Sequence, residues 1–112
     1  MAIFIFQGRY TKEAMRGMVE NPEDRAEATA RMVEAGGGKL LSYYVTLGEW
    51  DFIVTADLPD QATASALAMA VGAAGGIDSH IIPAMTTAEA KTAMERAKSL
   101  RAAFATPGKV TA

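Results

Sequence analysis

Apolar or aromatic side chains fall on both alternating faces of residues 3–6 in the stretch IFIFQGRY, residues 3–10. That is the pattern of a strand covered on two sides. Thr11 followed by Lys12, Glu13 and Ala14 then reads as a helix N-cap, because a threonine hydroxyl accepts from the free N–H groups of a first turn. This first helix is predicted to be short. Asn21-Pro22-Glu23-Asp24 offers a fresh cap, a proline at the first helical position and acids in the first turn. In the second helix Ala26, Thr29, Ala30 and Val33 recur at helical spacing, and Gly36-Gly37-Gly38 ends it.

Residues 39–46, KLLSYYVT, and 50–57, WDFIVTAD, read as two antiparallel strands around a three-residue loop, Leu47-Gly48-Glu49, with the glycine in a left-handed conformation. Pro59-Asp60 breaks the second of them. Residues 61–74 are alanine-rich with Leu67, Val71 and Ala74 on one helical face, and Gly75 and Gly76 end the helix. A last strand over residues 77–85 contains Pro83, which suits a sheet edge. Thr86 or Thr87 then caps a helix over residues 88–104.

The order strand, helix, strand, strand, helix, strand predicts an α+β, ferredoxin-like βαββαβ fold: a four-stranded antiparallel sheet of order 4-1-3-2, plus a C-terminal helix. Residues 3–6 and 52–54 are apolar on both faces and suit the two central strands, while Lys39, Ser42, Asp78, Ser79 and Pro83 mark the edges. The expected division is a domain over residues 1–87, the helix over 88–105 and a flexible tail over 106–112. One helical layer covers one sheet face, so the other is expected to pack against a second copy, sheet to sheet.

Composition narrows the partners. Half of the residues are hydrophobic and 21% charged, a globular balance, and the net charge of −2 provides no basic footprint for nucleic acid or an anionic membrane. The absence of cysteine excludes disulfides and thiolate chemistry. Ile3–Phe6 is followed at once by Gln7, Gly8 and Arg9, without a basic leader or cleavage-like site, so a cytoplasmic protein is expected by default. Neither glycine run has a phosphate-loop pattern, the methionines are scattered, and no histidine spacing suits a metal; no cofactor and no metal are expected.

The motifs G-R-Y-T at 8–11, N-P-E-D-R at 21–25, G-G-K at 37–39 and T-L-G-E-W-D at 46–51 together resemble the GYD family, small bacterial proteins named for a Gly-Tyr-Asp signature, over about residues 1–90. At the signature itself Gly48 is followed by Glu49, and Trp50 takes the tyrosine's place before Asp51. The resemblance implies a ferredoxin-like subunit similar to those that dimerise into α+β barrels. It names no reaction.

Candidate chemistry is sparse. Glu49 and Asp51 would point to one side of a strand about 7 Å apart, with Trp50 and Phe52 on the other. They are catalytic candidates together with His80, the one histidine, which its neighbours Ile81 and Ile82 suggest is partly buried. The plainer reading makes the acids a solvated turn and the histidine a packing residue. Tyr10, Tyr44, Trp50 and His80 are candidates to line a small-molecule pocket between sheet and helices. Tyr43 and Tyr44 should face opposite ways, so only one of them lines any given pocket. In the C-terminal helix Ala90, Ala93, Ala97, Leu100 and Phe104 form a narrow stripe suited to docking on a helix, within the subunit or across an interface. The function expected is a small homo-oligomeric binding or scaffold domain with a small ligand in a subunit cleft. The rival is a cofactor-free enzyme performing acid–base chemistry on a small organic molecule.

Overall fold

The computed structural model describes residues 1–108; most of the tail expected over 106–112 lies outside the described residues. Four strands, β1 (Ala2–Tyr10), β2 (Lys39–Val45), β3 (Phe52–Leu58) and β4 (Ile77–Ala84), form one antiparallel sheet in the order β2-β3-β1-β4. This is the expected α+β arrangement, with the apolar strands central and the proline-bearing β4 at an edge. Helices α1 (Lys12–Glu20), α2 (Arg25–Ala35) and α3 (Gln61–Ala74) connect them, and α4 (Thr87–Leu100) follows.

Local chemistry sets the boundaries. Thr11 Oγ1 accepts from the Ala14 N–H at 3.1 Å, and Thr86 and Glu89 bond reciprocally as a capping box at the start of α4. The cap of α2 differs from expectation: Asp24 takes the role, accepting from the Ala26 N–H at 2.9 Å. Asn21 instead closes α1, and Pro22 lies between the helices rather than in a first turn. Asp24 wins because its carboxylate adds charge to the hydrogen bond at a helix N-terminus. At the other end of α2 the Gly38 and Gly37 N–H groups bond to the carbonyls of Val33 and Glu34, and Gly37 has φ +82°. That left-handed closure is what the glycine run supplies.

The connection from β2 to β3 also departs from the sequence reading. It spans residues 46–51, and the positive φ falls on Leu47 (51°), not on Gly48. Thr46 and Leu47 both donate to the Asp51 carbonyl, and Gly48 donates to that of Trp50. Strand alternation therefore does not reach Glu49, Trp50 or Asp51.

Register assigns the faces. Phe4 stands beside Ala56 and Pro83, and Phe6 beside Val54 and Ile81, on the face that the helices cover. Phe4, Val33, Ala56, Leu58 and Ala64 form the core there. Ile3, Ile5, Ile53 and Ile82 share the opposite face with Thr55, and all are only half-buried. No helix of the described residues covers them. The C-terminal helix does not: Ala90 is its one residue that is not exposed, and Phe104 just beyond it is 70% exposed. It projects from the domain as an arm, which explains a radius of gyration of 18.7 Å where about 13 Å suits a compact chain of this length. Of the two dockings expected for its stripe, the one within the subunit does not occur among the described residues.

Candidate functional site

The core fills only one end of the layer between helices and sheet. At the other end, near Tyr10, the walls are α2 and α3, and the floor is Phe6, Phe52 and Val54. A hollow of about 100 Å³ remains between them. Its cause is visible in the sequence of α3, where alanine dominates and only Leu67 and Val71 reach down with any bulk. Protein interiors rarely keep voids much larger than a water, and an unfilled cavity is destabilising by about 24 cal/mol per Å³. The hollow meets a more open one of about 440 Å³ beneath α1, and Arg25, Met32, Val71 and Ile77 line both.

Polar groups gather at that junction. The hydroxyls of Tyr10 and Tyr43 are hydrogen-bonded at 2.5 Å, and both rings tilt against Phe52, with centroids 5.1 and 5.7 Å away. Gly8 makes room for this cluster, since a side chain there would fall on the Phe52 ring and 2.6 Å from the Asp78 carbonyl. Burial, followed by the bond to Tyr43, holds the Tyr10 phenol well above its ordinary value of 10.0, while the charge of Arg25 acts in the other direction. Tyr10 is therefore neutral across the physiological range. Among the described residues Arg25 makes one ion pair, from Nη1 to Glu23 Oε1 at 3.4 Å.

The sequence candidates divide between the two faces. Tyr10 lines the larger space under α1, and its hydroxyl meets that of Tyr43, which lines the hollow. Tyr44 pairs with Ile53 on the open face and is 67% exposed, so it does not line this space. Tyr43 does, and sequence reasoning passed it over. A register shift between Leu40 and Ser42 is responsible, because an extra residue in the strand reverses which later side chains face inward. A serine at an inward position under strict alternation was the available signal.

Trp50 and His80 lie together at the open face. Their rings are stacked, 6.0 Å apart and inclined by 10°, and the Arg9 guanidinium carbon sits 4.8 Å from the indole centroid. Arg9 Nε also donates to the Glu49 carbonyl at 2.9 Å. Contrary to expectation His80 is exposed: β4 is an edge strand, and His80 pairs with Gln7 on the uncovered face. Trp50 is half-buried, and Phe52 is inside with the tyrosines, so the two rings do not share a side as the sequence suggested.

The acids are not brought together as a catalytic pair. Asp51 Oδ2 accepts from the Tyr10 N–H at 3.0 Å, and the Asp51 N–H donates to the Gly8 carbonyl at 2.8 Å. Asp51 thereby fastens the loop to the end of β1, next to the hollow. Glu49 is exposed and engages Arg9 through its backbone alone. Among the described residues no three His, Asp or Glu side chains are placed to hold a metal ion, and no helix is long and apolar enough to cross a membrane.

Comparison with known families identifies a GYD domain over residues 4–94, and the chain belongs to that family. No curated protein and no solved structure matches it.

Proposed function

We propose that the chain is a homo-oligomeric binding domain whose subunits meet through their open sheet faces. The observation that carries this reading is the row of half-buried side chains, Ile3, Ile5, Ile53 and Ile82, on a face without a covering helix. At roughly 25 cal/mol per Å² of apolar surface, covering four such side chains stabilises an assembly by several kcal/mol.

Size brings the arm into the same assembly. Four strands about 4.8 Å apart and seven to nine residues long present a footprint of roughly 14 by 24–30 Å, or roughly 350–430 Å². Stable interfaces take about 800 Å² from each partner. The exposed stripe of α4, with Met94, Leu100 and Phe104, supplies apolar surface toward the difference. An acid–base enzyme is the weaker reading, since Asp51 is committed to a backbone N–H and Tyr10 is held neutral.

Sedimentation at micromolar concentration tests the proposal. The wild type is expected above monomer mass, and Ile53→Lys should return it to monomer while leaving the far-UV circular dichroism unchanged. A monomeric wild type would overturn the reading.

A further inference from the structure

The hollow between α2, α3 and the sheet has the form of a ligand site, and it lies within one subunit, not in a cleft between two. Its walls are largely apolar, from Phe6, Val54, Leu67 and Val71. Its volume of about 100 Å³ opens toward the larger space under α1. A cavity of about 150 Å³ accommodates a benzene ring, so one ring or a short chain matches this one once the opening is used.

The polar groups occupy one end. Tyr10 and Tyr43 share a hydrogen bond in which either can donate. Whichever donates to the other, the accepting tyrosine keeps its own O–H to offer a ligand. Arg25 lines both hollows and, among the described residues, spends a single nitrogen, at 3.4 Å, on the exposed Glu23. The rest of its fork is available to a carboxylate, a group whose geometry it matches.

We infer that this hollow binds a small apolar acid, with a body of about one ring and its carboxylate held by Arg25 and the Tyr10–Tyr43 hydroxyls. A neutral molecule would use the apolar walls and leave the guanidinium unmatched. A cation would oppose Arg25. Glu23 competes with the ligand for Arg25, but through one long bond at the surface.

The test is an amide-resolved NMR titration of the full chain with phenylacetate, phenylacetamide and phenethylamine. Phenylacetate is expected to shift the resonances of Thr29, Tyr43 and Ala68 saturably and to bind about tenfold more tightly than the amide. Arg25→Gln should remove that preference without weakening phenylacetamide. Ala68→Leu, which fills the hollow, should abolish binding of both. Shifts confined to Trp50 and His80, no saturable shift, equal affinity for all three probes, or a preference that survives Arg25→Gln would each overturn the assignment. Because the titration maps the site in the unaltered protein, it decides the matter even if a variant does not fold. A monomer that binds phenylacetate in the hollow would keep this inference and sink the sheet-to-sheet assembly. An oligomer that does not bind it would do the reverse.

Discussion

The two ends of the layer between helices and sheet are built on the same strands yet are packed differently. At one end Phe4, Val33, Ala56, Leu58 and Ala64 close into a core. At the other, Phe6, Phe52 and Val54 form a floor that α2 and α3 bridge without filling. The hydrophobic pattern continues through both ends, so pattern is not the difference. Volume is. Where α3 passes over Leu58, its small Ala64 lets the backbone approach until both residues are fully buried. Where it passes over the tyrosine end, Ala68 is equally small, but the sheet carries aromatic rings, the helices stand off, and a space stays open. One end stabilises the fold, and the other has the shape of a site.

The largest effect should come from the packed end. Phe4 is 3% exposed in the centre of the core, and Phe4→Ala should destabilise by about 3–5 kcal/mol through lost burial and a new cavity. Chemical denaturation measures this. A change below about 1 kcal/mol would mean that the two ends do not differ in packing.

Gly8→Ala comes next, because it pushes the aromatic wall of the hollow from beneath. The added methyl meets the Phe52 ring and the Asp78 carbonyl, and the carbonyl belongs to a paired strand that cannot move freely. A loss of about 1–3 kcal/mol is expected from overpacking, accompanied by altered ring-proton shifts of Tyr10 and Tyr43. A stable variant with unchanged ring shifts would show that the wall is looser than the geometry indicates.

The hollow end should respond with the opposite sign to an added side chain from above. Ala68→Leu places three more carbons in a space of about 100 Å³, and filling such a cavity commonly stabilises by about 0.5–2 kcal/mol. A raised melting temperature would separate the two ends by sign as well as by size. A lowered one would show that the space is already occupied by the ordinary motion of its walls.

These contrasts mark where the sequence was legible. Elements, their order and the central and edge strands follow from hydrophobic period and cap chemistry, and Thr11, Pro83 and the run Gly36–Gly38 appear where those rules place them. The site depended on details that period does not carry. One extra residue between Leu40 and Ser42 turns Tyr43 inward and Tyr44 outward. A six-residue connection frees Trp50 from strand alternation and sets it beside His80, a neighbour thirty residues on that only the β1–β4 register brings near. The hollow itself is a difference between volumes, and an alanine-rich helix reads the same whether it closes on a sheet or bridges it.

The smallest effect concerns pH and the hydroxyl pair alone. Burial and the Tyr43 bond raise the Tyr10 phenol above its ordinary value of 10.0, so the folded protein holds a proton that the unfolded chain releases first. The sign follows from linkage: a group whose folded-state value is raised contributes stability that is complete below the unfolded value and is lost as pH climbs through and beyond it. Stability at neutral pH is therefore untouched, and a decline begins near pH 10. Tyr10→Phe removes the titrating group while keeping the ring against Phe52. It should leave a modest loss at neutral pH, about 0.5–1.5 kcal/mol for one hydrogen bond, and should flatten the alkaline decline. Denaturation midpoints between neutral pH and the alkaline limb decide it. An alkaline slope that Tyr10→Phe leaves unchanged would place the titrating group elsewhere and remove the proton-holding pair from the account of the hollow.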